Sequence, residues 1–322
     1  MKTKPLFTFV SFCLLFSAIG PGVSQADCVS SPSGLIGWWR AENNADDSIN
    51  TNAATLGGGT TFTNGLVGTA FAFDGADDIA YVSALAFASV SNNFTMEMWF
   101  FPTTSRGVVT ETVSSQTGIG TDQRYAVFPS HGDNSFGSGH AGAGISIGTN
   151  GITVFEHGAF YIPSPLVFNT ALSGWNHMAV VYTNNRPTLY LNGTFVRTGL
   201  ASPRIVHPSA EMGGGVYGYF PGFLDEYTVY NRALSAAEVQ AAFAAGSSGK
   251  CVPPTLNITT LPGAVRLTWT TNVTGYLLET NSALTLPAGW GVLASNYGVL
   301  NANFAVTNAI GGATRFYRLH KP

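Results

Sequence analysis

The sequence predicts an all-β protein, and two observations support this. Apolar and polar residues alternate in many short segments, which is the period of a strand with one buried face. Of the 322 residues, 38 are glycine and only 10% are charged, a composition typical of strands joined by glycine turns. One segment of the mature chain predicts a helix: Ser235 begins it, Glu238 completes a capping box, and Gly246 follows its last apolar residue.

The N-terminus predicts export. Lys2 and Lys4 precede an apolar run at 6–19, and Ser24-Gln25-Ala26 is a small-x-small cleavage site, so residues 1–26 are expected to be a signal peptide. The run is shorter than the ~20 residues of a membrane span, so no transmembrane segment is expected in the mature protein. We therefore expect a secreted protein, extracellular or periplasmic. Removal of the two lysines lowers the formal net charge from −3 to −5, which argues against a nucleic-acid partner.

The first strands are expected near the mature N-terminus. In the segment 34–50, Trp38 and Trp39 point to opposite faces of a strand, so one is expected in the core. The other is expected to be covered, with a sugar-stacking surface as the alternative. The segment 65–82 contains an apolar strand followed by Asp74-Gly75, a hairpin turn signal. The segment 93–101 is a strand with apolar residues on one side, and Glu97 and Trp99 on the other.

Two hairpins and a last strand follow. Asn150-Gly151 lies between alternating β-formers and predicts a tight hairpin at 145–156. The segment 175–196 predicts a second hairpin, with a further turn at Asn192-Gly193. In 222–230, Phe223, Tyr227 and Val229 alternate with more polar neighbours and predict the strand that leads into the helix.

Several of these segments resemble one family. GLIGWWRAENNADDSIN, GLVGTAFAFDGADDIAYV, WNHMAVVYTNNRPTLYLNGTFV and GFLDEYTVYNRALSAAEV resemble, in this order, the motifs of laminin-G-like jelly-roll domains of the concanavalin A-like lectin/glucanase superfamily. The insert GTNGITVFEHG resembles a subgroup of exported bacterial members. The resemblance implies a jelly-roll sandwich of two antiparallel sheets, with one short helix near its C-terminal end.

This resemblance predicts the domain organisation. We expect a jelly-roll domain at 27–251, a Pro-rich linker at 252–255, and a small β-sandwich at 256–322 that is similar to a fibronectin type III module. Cys28 and Cys251 are the only cysteines of the mature chain and flank the jelly roll. Because the ends of a closed sandwich lie side by side, we expect them to form a disulfide; the alternative is two free thiols.

The sequence favours a non-catalytic protein. Glycoside hydrolysis needs two carboxylates that face one cleft, and glucanases of this fold place them in an E-x-D-x-x-E strand that is not found here. Asp225 and Glu226 are adjacent and are therefore expected on opposite faces, and Glu97 stands alone. A hydrolase whose carboxylates converge from separate strands remains the least favoured alternative.

Calcium is the cofactor that the resemblance implies, because many members of the superfamily hold it at a sandwich rim. The candidate ligands are aspartates in predicted turns: Asp46, Asp74, Asp78 and Asp225. The alternative is that these carboxylates accept turn N–H groups. A metal site that joins Glu156-His157 to His131 or His140 is disfavoured, because their spacing is not that of zinc ligands.

The function that we expect is binding or adhesion, with a carbohydrate, a surface glycoprotein or a glycopolymer as the partner. Two glycine-containing loops and the Glu156-His157 pair offer aromatic, amide and acidic groups for a sugar. The candidate ligand-binding residues are Asp133, Asn134, Phe136, Glu156, His157, Tyr217 and Tyr219. The alternative is that the aromatic residues fill the ends of the sandwich, in which case the protein is a structural or protein-interaction module of the cell surface.

Overall fold

The computed structural model describes residues 28–159, 161–252, 254–271, 275–283, 289–294, 297–311 and 314–320. The predicted signal peptide lies outside these ranges. Within them the chain is all-β, with two α-helices, α1 (Gly132–Phe136) and α2 (Ala236–Ala244). None of the described helices is both long and apolar enough to cross a membrane.

In the part of the chain that the structure describes, twenty strands precede the C-terminal region. In chain order they are β1 (Val29–Ser30), β2 (Leu35–Trp39), β3 (Thr55–Gly57), β4 (Thr61–Asn64), β5 (Thr69–Asp74), β6 (Ile79–Tyr81), β7 (Phe94–Pro102), β8 (Tyr125–Phe128), β9 (His140–Gly148), β10 (Gly151–His157), β11 (Leu166–Asn169), β12 (Asn176–Thr183), β13 (Arg186–Leu191), β14 (Thr194–Thr198), β15 (Ile205–Pro208), β16 (Glu211–Met212), β17 (Gly214–Gly215), β18 (Gly218–Tyr219), β19 (Pro221–Tyr230) and β20 (Lys250–Cys251).

Two sheets form the predicted sandwich. Sheet I has the order β14-β13-β12-β7-β19-β5-β4, with β2 paired to β19. Sheet II has the order β11-β10-β9-β8-β16-β6-β3, with β15 paired to β9 and the short β17 and β18 beside β8. Most pairs are antiparallel, but β15 runs parallel to β9. This is the antiparallel jelly roll that the sequence predicts.

The main core lies between the two sheets. One face of β7 supplies Phe94, Met96, Met98 and Phe100, as the period of two predicts, and all four side chains are fully buried. Ile145 on β9 and the apolar residues Ile152 and Val154 on β10 belong to the same cluster from sheet II. Alternation then places Phe155 and His157 on the outer face of sheet II.

The predicted hairpins form at their expected turns. Strands β9 and β10 pair around Asn150-Gly151, with Gly151 opposite Gly148. Strands β12, β13 and β14 pair in succession. The Asp74-Gly75 prediction is wrong as a hairpin: β5 belongs to sheet I and β6 to sheet II, so this turn carries the chain from one sheet to the other.

A β-bulge divides β19. Its pairing with β7 shifts between Asp225 and Thr228, and Glu226 has a left-handed backbone with φ of 58°. Leu224 and Tyr227 therefore both face the core, with the Tyr227 ring stacked on Trp39. The two residues between them, Asp225 and Glu226, both point away from the core. The prediction that they face opposite sides is wrong, because the bulge interrupts the alternation.

The helix α2 closes the sandwich. Its capping box is present: the Ser235 hydroxyl accepts from the Glu238 N–H, and the Glu238 carboxylate accepts from the Ser235 N–H. A turn then leads to β20, which pairs with β1 in a two-stranded parallel sheet. Cys28 and Cys251 form the predicted disulfide, with their Cα atoms 4.9 Å apart.

The C-terminal region contains two further small sheets. Its strands are β21 (Asn257–Leu261), β22 (Ala264–Thr270), β23 (Leu277–Asn281), β24 (Gly291–Ala294), β25 (Gly298–Leu300), β26 (Asn303–Ala309) and β27 (Phe316–His320). The orders are β21-β22-β26-β25 and β24-β23-β27, around a core that includes Leu267, Trp269 and Leu278. Tyr276 is half-buried. The fibronectin III-like assignment and the boundaries 27–251, 252–255 and 256–322 stay predictions.

Candidate functional site

A pocket of about 240 Å³ lies on the outer face of sheet II. It is bordered by the end of β10, the loop after β10, the residue before α1 and the β17–β18 turn. Its lining side chains combine aromatic, aliphatic and polar groups without a formal charge: Gln116, Ile119, His131, His157, Ala159, Tyr161, Ile162 and Tyr217. Such a mixture of aromatic walls and a few polar groups is typical of small-molecule sites.

His157 lies at the buried side of this pocket. It follows the core-facing Glu156 on β10, so its ring points outward, and it is 8% exposed. Its Nδ1 lies 3.1 Å from the carbonyl oxygen of Pro129. Burial, with a smaller contribution from nearby His131, lowers the pKa of His157 to about 4, although the Pro129 hydrogen bond opposes this shift. The imidazole is therefore neutral at neutral pH.

His131 faces His157 from the start of α1. The two ring centroids are 4.4 Å apart. His131 is the N-cap of α1, and its Nδ1 accepts from the Asn134 N–H at 3.3 Å. This local cap fixes the ring beside the pocket because an N-cap side chain is tied to its own first turn. Sequence spacing disfavoured a joint role for these two histidines, yet the fold brings them together.

Two tyrosines complete the aromatic walls. Tyr217 lies 6.1 Å from both the Phe128 ring, on which it stacks, and the His157 ring, which it meets edge-on. The Arg204 guanidinium lies over the face of the Tyr161 ring, with its Cζ 4.0 Å from the ring centroid. Arg204 also lies 3.5 Å from the Asp133 carboxylate on α1. This interaction fastens α1 to the loop after β10 and so supports the pocket wall.

The structure separates the predicted ligand-binding residues into two groups. His157 and Tyr217 line the pocket, and Asp133 and Asn134 support it through Arg204 and His131. Glu156, Phe136 and Tyr219 are not among the lining residues. Phe136 stacks on His207 at 4.0 Å, beside a contact of 2.8 Å between the ring nitrogens of His140 and His207.

Glu156, a predicted ligand-binding residue, lies in the core. Its side chain points into the core, is fully buried, and accepts hydrogen bonds from the Tyr182 hydroxyl at 2.9 Å and the Ser202 hydroxyl at 2.5 Å. Burial raises its pKa to about 7, although both hydroxyls oppose this. A ligand in the pocket cannot reach this carboxylate because alternation sends it to the opposite face from His157.

The acidic residues predicted to bind calcium also fall into two groups, one clustered and one dispersed. Asp74 and Asp78 come together with Asp77, with one carboxylate oxygen of each within 4.8 Å of the others. In the described residues this is the one group of three or more acidic, histidine or cysteine side chains close enough to share an ion. Asp78 Oδ2 accepts from the Asp74 N–H at 2.8 Å, while its buried Oδ1 has no hydrogen-bond partner.

Asp46 and Asp225, the other two predicted calcium ligands, lie apart from that cluster and cannot share an ion with it. Asp46 is exposed in a turn, where its N–H donates to Asn44 Oδ1. Asp225 is fully buried below another turn, and its Oδ2 accepts from the Val67 N–H at 2.8 Å. Burial raises the pKa of Asp225 to about 8, and Glu226 contributes to this rise, although the Val67 hydrogen bond opposes it.

The carboxylates of Glu97 and Glu226 converge from two strands, so Glu97 does not stand alone. Lys250 lies between them, with its Nζ 3.3 Å from Glu97 Oε1 and 3.5 Å from Glu226 Oε2. His177 contacts Glu97 at 3.1 Å, and the Trp38 indole N–H donates to Glu226 at 3.1 Å. Both carboxylates are 1% exposed, so a polysaccharide cannot reach this pair.

The pKa values of Glu97 and Glu226 are shifted in opposite directions from their ordinary value. Burial raises the pKa of Glu97, but Lys250 and His177 outweigh it and hold the value at about 2. Burial also raises the pKa of Glu226, and there Lys250 and Arg40 oppose it only in part. Phe243 of α2 covers the cluster through the rings of Trp99 and His177. We interpret the cluster as an internal ionic contact between β7, β19 and β20.

The family follows from a comparison with sequence models. The Laminin_G_3 model, described as concanavalin A-like lectin/glucanases superfamily, matches residues 74–240. The chain belongs to this superfamily. The matched range includes β7 to β19 and every residue that lines the pocket. Comparison with curated proteins returned no match.

Solved structures with a similar fold include binding domains of larger proteins. Domain 4 of AbnA, a GH43 extracellular arabinanase from Geobacillus stearothermophilus, was solved with arabinotriose; it is 18% identical, with a TM-score of 0.46, and the match covers 64% of this chain and 96% of that domain. The binding domain of Paraclostridial Mosquitocidal Protein 1 is 16% identical, with a TM-score of 0.44 and coverage of 78% and 61%. The botulinum neurotoxin type G receptor binding domain is 12% identical, with a TM-score of 0.43 and coverage of 87% and 66%.

Three polar or aromatic pocket residues of this superfamily member are not among the ligand-binding residues that the sequence predicts: Gln116, His131 and Tyr161. The sequence points to His131 only as a possible metal ligand, and it predicts no role for Gln116 or Tyr161. Gln116 and Tyr161 lie 45 positions apart in irregular segments, and they meet because the loop after β10 folds back on the outer face of sheet II. For Tyr161 the available signal was an aromatic residue directly after a predicted hairpin.

Proposed function

We propose that this protein is a secreted, non-catalytic carbohydrate-binding protein that holds its ligand in the pocket on the outer face of sheet II. The observation that carries the proposal is the pairing of aromatic walls from Tyr161 and Tyr217 with the polar edges of His131 and His157. Sugars present both apolar C–H faces and hydroxyl groups, so a site of this composition fits them. Superfamily membership agrees with this function but does not by itself establish it.

A binding function fits the pocket better than hydrolysis does. Glycoside hydrolysis by the common mechanism needs two carboxyl groups on either side of the scissile bond. None of the described lining residues is acidic. The carboxylates of Glu97 and Glu226, which do converge, are sealed beneath Phe243 and neighbouring rings. The residues of the pocket therefore support retention of a glycan rather than its cleavage.

Export is part of the same proposal. The N-terminal 26 residues have the pattern of a signal peptide. The disulfide between Cys28 and Cys251 is typical of oxidising compartments and rare in a reducing cytosol. A secreted protein with a glycan pocket would meet carbohydrate partners at a cell surface or in the surrounding medium.

A glycan array tests the proposed function. The full mature protein should give reproducible hits that a Tyr217→Ala variant loses, because the substitution removes one wall of the pocket. Tyr219→Ala is the matched control, since Tyr219 lies two residues away and outside the lining. A silent array with folded protein would overturn carbohydrate binding and favour a structural or protein-interaction module. Release of reducing sugar from bound polysaccharides would overturn the non-catalytic assignment.

Calcium is a second part of the proposal, with a structural role. The Asp74–Asp78 turn joins sheet I to sheet II, and Asp77 and Asp78 lie directly against the turn at Gly58, where an added Cβ would be 2.2 Å from the Asp77 carbonyl oxygen. Three carboxylates and nearby backbone oxygens fit the preference of Ca²⁺ for oxygen ligands. The unpaired Oδ1 of Asp78 would gain a partner. An ion here would fasten the two sheets at this rim.

Thermal unfolding tests the calcium site. At about 10 mM Ca²⁺ an extracellular-type site with a Kd of ~10⁻⁴–10⁻³ M would add roughly 1.4–2.7 kcal/mol to stability. Chelation should reverse the rise in Tm, and Asp77→Asn should abolish it. Asp46→Asn is the control, because Asp46 lies outside the cluster and should leave the shift intact. The absence of a Tm shift at this concentration would remove calcium from the proposal.

A further inference from the structure

The pocket contains two imidazoles whose tautomers are fixed by their partners. A backbone carbonyl only accepts hydrogen bonds, so the contact of His157 Nδ1 with the Pro129 oxygen places the proton on Nδ1. A backbone N–H only donates, so the contact of the Asn134 N–H with His131 Nδ1 leaves that nitrogen unprotonated. The neutral forms therefore carry a lone pair on His157 Nε2 and a proton on His131 Nε2.

This pairing gives the pocket one acceptor and one donor side by side. The two rings are 4.4 Å apart between centroids, and both line the pocket. A sugar hydroxyl group can donate and accept, so two neighbouring hydroxyl groups can satisfy both imidazoles at once. A ligand with only acceptors, such as a carboxylate, would place its oxygen against the lone pair of His157.

The charge of the pocket selects against anionic ligands. None of the described lining residues is a lysine or an arginine, and His157 is neutral because of its burial. Arg204 lies behind the Tyr161 ring and forms an ion pair with Asp133, so it is not a lining cation. Moving a carboxylate or phosphate from water into this site would leave its charge without a partner, which is costly.

The size of the pocket fits one sugar ring. Its volume of about 240 Å³ is below the ~300–1,000 Å³ of pockets that take drug-sized ligands. On the proposal that the pocket binds carbohydrate, we infer that it holds one neutral sugar residue and recognises two adjacent hydroxyl groups, with His157 as the acceptor and His131 as the donor. Uronic acids and phosphorylated sugars are excluded from this site.

Matched pairs of methyl glycosides test the ligand class. Methyl glucoside and methyl glucuronide differ only at C6, as do methyl galactoside and methyl galacturonide. Binding to the full mature protein is measured by ligand-observed NMR and calorimetry. At least one neutral glycoside should bind, and its uronide should bind at least about tenfold more weakly, because a charged group then lacks a partner. Equal or tighter binding of the uronide overturns the inference but leaves carbohydrate binding intact. If no glycoside and no polysaccharide binds, the proposed function fails as well.

Two substitutions test the roles of the histidines. His157→Asn keeps an amide N–H that can donate to Pro129 but removes the Nε2 acceptor, and His131→Ser keeps an N-cap oxygen for α1 but removes the Nε2 donor. Each should weaken binding of the neutral glycoside by about tenfold, with Tm within a few degrees of the parent protein, because one ligand hydroxyl loses its partner. Tyr219→Phe is the control and should bind as the parent does.

The two variants also keep the test decisive if one of them is unstable. If His157→Asn lowers Tm strongly, His131→Ser still reports on the donor, because its cap is retained. Unchanged affinity in a folded His157→Asn or His131→Ser variant overturns the assignment of donor and acceptor. The same result, together with normal binding of neutral glycosides, leaves the proposed function standing.

Discussion

Lys250→Met is the substitution that most directly tests the electrostatics of this fold. Lys250 is buried between Glu97 and Glu226, at 3.3 and 3.5 Å, and lies 5.4 Å from the centre of the Trp38 ring. Methionine has a similar length and fills the same space, so the change removes a charge rather than volume. It leaves two carboxylates in the interior without the cation that they share.

The expected loss of stability is large. Removal of one partner from a buried ion pair costs about 3–5 kcal/mol, since the remaining charge stays desolvated. For a domain of this size that corresponds to a fall in Tm of roughly 10 °C. The half-exposed pair of Arg197 and Glu111, with Arg197 40% exposed, provides the control. Arg197→Met should cost below about 1 kcal/mol.

The pH dependence of the variant follows from the sign of the Glu97 shift. In the parent protein the pKa of Glu97 is about 2 instead of the ordinary 4.5. The unfolded chain therefore binds more protons than the folded protein between these values, so this contribution to stability is complete above pH 4.5 and is lost as the pH falls toward 2. Without Lys250, burial dominates and the pKa of Glu97 rises. The loss of unfolding free energy caused by Lys250→Met should then be greater at pH 8 than at pH 5.

Urea unfolding of the full mature protein measures these differences. The triple variant Lys250→Met, Glu97→Gln, Glu226→Gln should recover at least half of the loss, because it removes the unpaired charges together. A cost below about 1 kcal/mol for Lys250→Met would refute the reasoning. So would a triple variant no more stable than Lys250→Met alone.

Three further predictions concern stability. The double variant Cys28→Ser, Cys251→Ser should lose about 2–5 kcal/mol of unfolding free energy in urea, because a link across 223 positions constrains the unfolded chain; an unchanged midpoint would contradict this. Glu156 has a pKa of about 7 against an ordinary 4.5, so the folded protein binds the extra proton and stability falls as the pH rises through this window. The unfolding free energy of Glu156→Gln, relative to that of the parent protein, should therefore be up to about 3 kcal/mol higher at pH 8 than at pH 4. If the stability of the two proteins instead varies with pH in parallel, the raised pKa of Glu156 is contradicted. Ser235→Ala should cost about 1 kcal/mol through loss of the N-cap of α2, with the exposed Ala236→Ser as the control; a Tm equal to that of the parent would show that the cap is dispensable.

Much of the fold could be predicted because its signals are local. The core face of β7, the turn at Asn150-Gly151 and the capping box at Ser235 each depend on residues a few positions apart. Hydrophobic alternation and turn propensity act at that range. The disulfide required the added assumption that the ends of a closed sandwich meet.

The features that were missed depend on one backbone conformation or on distant contacts. Glu226 adopts a left-handed φ of 58°, which is uncommon for a residue other than glycine, asparagine or aspartate, and nothing in the local sequence indicates it. That single bulge places Asp225 and Glu226 on the same side of β19. Lys250, which pairs with Glu226, lies on β20. An ion pair between residues on distant strands produces no periodic pattern in the sequence.

The candidate site likewise depends on contacts between distant residues, which the local sequence does not predict. His157 and Tyr217 could be nominated from the sequence, but their position beside His131 and Tyr161 depends on where four separate segments meet. Glu156 was nominated with His157 because they are neighbours in sequence. In a strand, neighbours face opposite sides, so the two residues serve the core and the pocket respectively.

The clasp formed by β1, β20 and the disulfide determines how the domain would carry tension. Cys28 and Cys251 are joined covalently, with their Cα atoms 4.9 Å apart. A pull applied between the backbone at Cys28 and the chain after Cys251 therefore passes through the sulfur–sulfur bond. The strands between these residues lie outside the loaded path and keep their hydrogen bonds. A protein that holds a glycan against flow would keep its pocket intact under such a load, and would lose this protection when the bond is reduced.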